Sequence, residues 1–92
     1  MPDIASQPEN MLYPAIIDLP ATGRNIERLR RAAGYSVRDL QRLLGLSSTQ
    51  AIYKWQRGQA LPSLDNMVVL SRLFKARIEE ILVCKECGRK GE

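Results

Sequence analysis

The most informative side chains lie between Ser47 and Gly58, in a segment that reads SSTQAIYKWQRG. At about 100° per residue, a helix here places Ile52 and Trp55 on one side and Gln50 and Tyr53 on the other. A glutamine amide can form two hydrogen bonds with an adenine edge, and a tyrosine hydroxyl can reach a base or a phosphate. This chemistry is suited to reading double-stranded DNA in the major groove.

Three neighbouring residues extend this chemistry along the same face. Thr49 adds a hydroxyl beside the glutamine, while Lys54 and Arg57 lie farther along, where a groove wall would approach and favour phosphate contact. Two other interpretations stay open. The segment can be an ordinary amphipathic helix of a small bundle, and Gln50 can fold back to cap the Ser47 backbone.

The elements that would hold this helix can be predicted from caps and periodicity. A first helix should begin with Thr22 as N-cap and end near Gly34. Its buried stripe is predicted to be Ile26, Leu29 and Ala33. The predicted outer stripe is Arg24, Arg28 and Arg31.

A second short helix should precede the helix that carries Gln50 and Tyr53. Ser36 and Asp39 have the spacing of a capping box, and Gly45 should end the helix. The apolar repeat is Val37, Leu40, Leu43 and Leu44. After a link of about three residues, Gly45 to Ser47, the third helix should begin with Ser47 as N-cap and Gln50 at the capping-box position. It should end at Gly58.

Two more helices complete the predicted fold. Pro62 and Ser63 should open the fourth, and a short fifth should run from about Ala76 to Val83. The apolar face of the fourth helix is predicted to contain Leu64, Met67, Val68, Leu70, Ser71 and Phe74. That of the fifth contains Ile78, Ile81 and Leu82. Without two-residue alternation, strands are not expected in the core.

Length and composition fit one small helical domain. The chain has 92 residues, of which 45% are hydrophobic and only 5% aromatic. We predict an all-α fold, a compact five-helix bundle with an irregular N-terminal arm and a short C-terminal tail. The expected division is an arm over 1–20, possibly docking or dimer-forming, a helical domain over 21–83 and a flexible tail over 84–92.

The positive charge is concentrated on the first three predicted helices. The net charge is −3 over residues 1–20 and +6 over 21–60, within a total of +4. A basic excess there suits nucleic acid, although a solvated basic face would have the same composition. The N-terminus of the second helix would point at a phosphate, with Ser36 and Arg38 placed to assist.

Other classes of function find little support. Without histidine, without a nucleophile beside a base and without a glycine-rich phosphate loop, no catalytic set can be assembled, and no small-molecule substrate is evident. No apolar run approaches the ~20 residues that span a bilayer, and Asp3 and Glu9 are unlike a secretory signal. We therefore expect a non-enzymatic cytoplasmic protein.

Cys84 and Cys87 have the spacing of half a zinc site. A tetrahedral site needs four ligands, so zinc would require two copies of the chain to share their cysteines. A reduced tail without a ligand is the simpler interpretation. We therefore predict no cofactor and no metal, with an intersubunit zinc at Cys84 and Cys87 as the alternative.

The run from Asn25 to Leu82 resembles the Cro-like (XRE) family of helix-turn-helix regulators, which includes phage repressors. The matching motifs are IERLRRAAGYSVRDLQRLLGL, AIYKWQRG, LPSLDN, LSRLF and IEEIL. The resemblance implies a five-helix bundle that binds operator DNA, usually as a homodimer, and regulates transcription. It implies that Ser48 joins the base-facing residues and Gln59 the phosphate-facing ones.

The predicted base-facing set is Ser48, Thr49, Gln50 and Tyr53. The predicted phosphate-facing set is Ser36, Arg38, Ser47, Lys54, Arg57 and Gln59. Three features depart from the family pattern. Gln56 replaces the usual Glu near Gly58, Val37 replaces a Gln that often contacts phosphate, and one extra residue between Leu40 and Ile52 can shift the register.

A different class of function stays open beside the DNA-binding one. Residues 1–20 are acidic and apolar together, which would suit the interface of an antitoxin-like adaptor that binds a partner protein. The same segment can instead cover the core of its own subunit.

Overall fold

The computed structural model describes residues 16–85, and predictions on residues 1–15 and 86–92, Cys87 included, lie outside that part. The elements in chain order are β1 (Ile16–Ile17), α1 (Leu19–Ala33), α2 (Val37–Leu44), α3 (Gln50–Gln56), α4 (Leu64–Phe74), α5 (Ile78–Ile81) and β2 (Cys84–Lys85). The predicted all-α, five-helix class is confirmed. The division into arm, domain and tail stays a prediction, as does the adaptor interface.

Helix α1 begins four residues earlier than predicted. Asp18 is its N-cap, since its Oδ1 accepts a hydrogen bond of 3.0 Å from the Ala21 N–H. Pro20 suits the first turn because it needs no hydrogen-bond acceptor there. Thr22, predicted as the cap, is instead fully buried and bound to Val83, accepting from its N–H at 2.9 Å. The predicted end at Gly34 is confirmed by its left-handed conformation.

The buried stripe of α1 differs from the prediction at two positions. Ile26 is fully buried and Leu29 half-buried, but Ala33 is exposed. The interior place is taken by Arg30, which is only 8% exposed. Its guanidinium donates to the Tyr35 carbonyl oxygen at 2.9 Å, so the buried cation ties α1 to the loop before α2.

Helix α2 follows its prediction closely at both ends. The Ser36 hydroxyl accepts from the Asp39 N–H at 2.9 Å, and the Asp39 carboxylate accepts from the Ser36 N–H at 2.8 Å. This reciprocal capping box and the left-handed Gly45 are both confirmed. Of the predicted apolar stripe, Leu40 is fully buried while Leu43 is half exposed.

The core lies where the five helices meet. It consists of Ile26, Leu40, Ile52, Trp55, Met67, Leu70, Phe74 and Ile81. Helix α4 opens near Ser63 as predicted, and Ser63 is its N-cap, since its hydroxyl accepts from the Asn66 N–H at 3.1 Å. The prediction that Leu64 and Val68 belong to the buried face is wrong, because both are exposed.

A short two-stranded sheet, which was not predicted from the sequence, joins the two ends of the described chain. Ile16 and Ile17 pair antiparallel with Lys85 and Cys84, in two strands of two residues each. Periodicity cannot reveal strands this short. Asn25 on α1 adds a second tie by donating to the carbonyl oxygens of Glu80 and Ile81 at 2.9 and 3.0 Å. Helix α5 is therefore held against α1 by side-chain and backbone bonds.

Candidate nucleic-acid interface

The central orientation predicted for α3 is confirmed. Ile52 is fully buried and Trp55 is 5% exposed, so these two side chains anchor the helix in the core. On the opposite side, Tyr53 is 43% exposed and Gln50 is exposed. Lys54 is also exposed. The helix therefore presents an amide, a phenol and an ammonium group on one continuous outer face.

The start of α3 differs from the prediction. The helix begins at Gln50 after a five-residue connection, Gly45 to Thr49, so the predicted three-residue link and Ser47 cap are wrong. Thr49 holds the N-cap position without a side-chain cap bond, and the Ser48 hydroxyl accepts from the Gln50 N–H at 3.2 Å.

This turn settles how the candidate base-facing residues are presented. Ser48 and Thr49 project from the turn, whereas Gln50 and Tyr53 project from the first two turns of the helix. The capping box predicted between Ser47 and Gln50 does not form, since the Ser48 hydroxyl takes the Gln50 N–H instead. The exposed Gln50 amide thus remains available to an outside partner.

A shallow polar groove runs between α2 and α3. It is lined by Arg38, Gln41, Arg42, Ser48 and Thr49. Gln41 and Arg42 were not predicted as site residues. Both follow Arg38 on α2 at the three- and four-residue spacing that places side chains on one helix face. Gln41 also donates to the Leu46 carbonyl oxygen at 3.3 Å and thereby steadies the turn.

The first turn of α2 combines free donors with a negative charge. The Asp39 carboxylate uses the Ser36 N–H, which leaves the N–H groups of Val37 and Arg38 as the donors that this turn can offer. The hydrogen bond from the Ser36 backbone lowers the pKa of Asp39 below its usual 3.8, as do the Ser36 side chain and Arg42. Arg42 pairs with this carboxylate at 2.9 Å.

The remaining candidate phosphate contacts surround the end of α3. Arg57 and Gln59 are exposed, and Gly58 between them adopts a φ of 76°. The Gln59 N–H donates to the Lys54 carbonyl oxygen at 2.9 Å, which closes the helix and directs the chain away. A side chain at Gly58 would lie 2.7 Å from the Pro20 Cα, so this glycine also permits the loop to pack on α1.

Close packing of α1 against α3 fixes the position of the outer face. At Gly23, an added Cβ would meet the Trp55 carbonyl oxygen and lie 2.6 Å from that of Gln56. The last turn of α3 therefore rests directly on the α1 backbone. Such an approach leaves α3 little freedom to rotate, because any shift would drive backbone into backbone.

Of the two cysteines, Cys84 lies within the residues that the structure describes. Cys84 is exposed in β2, and Cys87 lies outside the described residues. Over residues 16–85 no three of the His, Cys, Asp and Glu side chains gather as a metal site would require. No helix in the same range is long and apolar enough to cross a bilayer.

Comparison with known proteins now adds to this geometry. A family model described as "Helix-turn-helix" matches residues 26–81, more than half of the chain. The solved restriction-modification controller protein C.AhdI from Aeromonas hydrophila is similar, with 31% identity and a TM-score of 0.61. That match covers 70% of this chain and 96% of the controller. No curated protein sequence matches the chain.

Two more distant solved structures share the fold. The DNA-binding domain of BldD is 14% identical with a TM-score of 0.58, over 71% of this chain and 93% of its own. The hypothetical transcription factor NHTF from Neisseria is 20% identical with a TM-score of 0.60, over 73% and 77%. With the exposed outer face of α3, these findings show that the chain belongs to the Cro-like (XRE) helix-turn-helix family and is a non-enzymatic, DNA-binding transcriptional regulator.

Proposed function

We propose that this regulator is sequence-specific and reads the major groove of double-stranded DNA with the outer face of α3. The observation that carries the proposal is the opposition of two pairs of side chains on that helix. Ile52 and Trp55 are buried while Gln50 and Tyr53 are exposed. A helix anchored in this way enters a groove as a rigid reader whose polar side chains meet the base edges.

The base-facing set we propose is Ser48, Thr49, Gln50 and Tyr53. Gln50 is the strongest member, since its amide matches the N6 and N7 atoms of adenine and such a bidentate pair discriminates by about 1–3 kcal/mol. Ser48 and Thr49 lie in the turn just before it and border the groove between α2 and α3. Hydroxyl groups in this turn can reach base edges or the adjoining sugar–phosphate backbone.

The phosphate-facing set we propose is Ser36, Arg38, Ser47, Lys54, Arg57 and Gln59, all of them exposed. These residues flank the base-facing set on both sides, from the start of α2 to the loop after α3. Gln41 and Arg42 join them as candidates because they line the same groove as Arg38. Backbone contacts of this kind fix the register of a protein on DNA without selecting the sequence.

The proposal includes a cytoplasmic homodimer that reads two half-sites. One α3 helix reaches few base pairs. Dimeric helix-turn-helix proteins gain selectivity by binding two half-sites that lie about one turn of the DNA helix, ~34–36 Å, apart.

Fluorescence anisotropy with labelled duplexes tests the proposal. Titrations at 50–300 mM salt should give a log–log slope of about −0.9 per neutralised phosphate, hence about −3.6 for the four cationic candidates of each protomer, which are Arg38, Arg42, Lys54 and Arg57. A selected site should bind at least ~10³-fold more tightly than a scrambled one. Binding that shows neither salt dependence nor sequence preference would contradict the proposal.

A further inference from the structure

A shallow groove with two exposed arginines lies between α1 and the end of α5. We call it the α1–α5 groove, and it is lined by Ala21, Arg24, Asn25, Arg28, Glu80 and Val83. Ala21 and Asn25 on α1 and Val83 on the facing segment are half-buried, whereas both arginines are exposed. The groove therefore has a partly buried floor and a positively charged outer side.

The positive charge of the α1–α5 groove is not balanced within residues 16–85. No carboxylate there lies within ion-pairing distance of Arg24 or Arg28. Arg28 instead donates to the neutral Oδ1 of Asn25 at 2.6 and 3.2 Å. Glu80 lines the groove, but its carboxylate accepts from the Arg77 N–H at 2.8 Å and pairs with that side chain at 3.6 Å. Since like charges four residues apart repel each other on a helix, the groove favours an acidic occupant.

The arginines of the groove point away from the candidate nucleic-acid interface. Gly23 marks the side of α1 that packs on α3. At about 100° per residue, Arg24 lies about 100° and Arg28 about 140° from Gly23 around the helix. Asn25 lies beside them and donates to carbonyl oxygens of α5. A partner for these two charges is therefore expected on the α5 side of the molecule.

We infer that residues 1–15 dock in the α1–α5 groove of their own chain, with Asp3 and Glu9 against the two arginines. This segment contains those two acids and no lysine or arginine. Its charge is thus complementary to that of the groove. The inference goes beyond the proposed function, because it concerns a surface apart from α3 and requires no DNA.

The described chain begins at the edge of the groove. Ile17 pairs with Cys84, and the Asp18 N–H donates to the carbonyl oxygen of Val83 at 2.7 Å. Residues 1–15 therefore join the fold beside Val83, which lines the groove.

The length of the segment also fits. From Ala21 to Arg28 the groove runs about 10 Å along α1. Glu9 precedes Ile16 by seven residues, and an extended chain of that length spans up to about 23 Å. A segment that turns back at Ile16 can therefore reach both arginines.

Paramagnetic relaxation NMR on the full chain without DNA tests the inference. A nitroxide is attached at Ser6→Cys in a ¹⁵N-labelled chain that also carries Cys84→Ser and Cys87→Ser, so that the label has one site. The amides of the α1–α5 groove should lose most of their intensity. Those of Ser48 and Gln50, beside α3, should keep theirs. Added salt should restore the groove signals, because it screens exposed charges.

A charge exchange tests the assigned pairing. Arg24→Glu with Arg28→Glu should abolish the intensity loss, and adding Asp3→Lys with Glu9→Lys should restore it. A folding defect in α1 would not be repaired by changes in residues 1–15. Arg72→Glu is the matched control for Arg28→Glu, since it reverses another exposed arginine that has no carboxylate partner within residues 16–85. It should leave the intensity loss unchanged.

The same spectra contain the results that would overturn the inference. Intensity loss spread evenly over the chain, or centred outside the groove, excludes docking there. So does a loss that persists in the variant with both arginines reversed. A mixture of nitroxide-bearing chain without ¹⁵N and ¹⁵N-labelled chain without nitroxide reports contact between copies. Loss at the groove in that mixture would assign the groove to the segment of a second copy and contradict docking within one chain.

Discussion

The Nε of Arg30 donates to the Oε1 of Gln56 at 3.0 Å, and this bond joins the interior of α1 to the last turn of α3. Arg30 is 8% exposed, and its acceptors in the described part of the chain are this amide and the Tyr35 carbonyl oxygen. No carboxylate there approaches within ion-pairing distance of it. A buried cation is thus held by neutral acceptors at the junction that positions α3.

Gln56→Glu should raise the free energy of unfolding by about 1–2 kcal/mol. A carboxylate acceptor makes a charge-assisted bond with the buried guanidinium, roughly twice as strong as the bond to a neutral amide. The same change adds a negative charge beside Arg57 and should weaken DNA binding. Urea denaturation at pH 7 measures the first effect.

Gln59→Glu is the matched control, since it makes the same charge change at an exposed position outside that bond. It should leave the free energy of unfolding within about 0.5 kcal/mol of the parent. If both variants shift stability equally, the gain has no connection with Arg30.

Gly23→Ala should destabilise the protein by about 3 kcal/mol, because the new Cβ meets the backbone carbonyls of Trp55 and Gln56. Helix propensity alone predicts the opposite sign, since alanine is favoured over glycine in a helix by about 1 kcal/mol. Gly34→Ala should cost only about 1 kcal/mol: no atom lies within 4 Å, and the positive φ of 86° is the sole penalty. Thermal melts that rank the two variants in reverse would refute the close packing of α1 on α3.

Acid should loosen α2 through Asp39. Hydrogen bonds from Ser36 and the nearby Arg42 keep the pKa of this carboxyl below 3.8 in the folded state. Its contribution to stability is therefore present above the unfolded pKa of about 3.9 and is lost as the pH falls through the folded value. Carbon-detected NMR titration should give a midpoint below 3.8; a midpoint at or above that value would contradict the capping box. Asp39→Asn should remove this part of the pH dependence, so that the difference in stability between parent and variant shrinks as the pH falls.

Much of the fold could be predicted because local rules act within a few residues. The box formed by Ser36 and Asp39, the opening of α4 near Ser63 and the helix ends at Gly34 and Gly45 depend on short-range bonds, and all are confirmed. The inward Ile52 and Trp55 could be predicted from helical period alone. These elements include the ones that position the candidate site.

Other features depend on partners distant in sequence and could not be predicted. Thr22 is a good N-cap by type, but Val83, sixty-one residues away, takes its hydroxyl. Arg30 falls on an apolar stripe by spacing, yet the choice between Arg30 and Ala33 depends on Gln56. Leu64 and Val68 are aliphatic but exposed, because no element of the described chain covers that side of α4.

The proposed base-facing and phosphate-facing residues should respond differently to substitution. The double variant Gln50→Ala, Tyr53→Ala should lose preference for a selected site over a scrambled one, by about 10- to 100-fold, with little change in affinity for the scrambled duplex. Arg57→Ala should weaken both duplexes about equally and reduce the salt slope by about 1. Competition titrations with the two duplexes distinguish these effects. Equal loss of preference in both variants would show that the assigned roles are wrong.

The central claim is that the outer face of α3 reads bases, and selection of bound duplexes from a random pool tests it most directly. The parent should enrich one motif made of two symmetric half-sites with centres about 10 base pairs apart. The double variant Gln50→Ala, Tyr53→Ala should enrich a degraded motif that has lost information at the positions these side chains contact. Enrichment of the same motif by both proteins, or of no motif by the parent, would contradict the account.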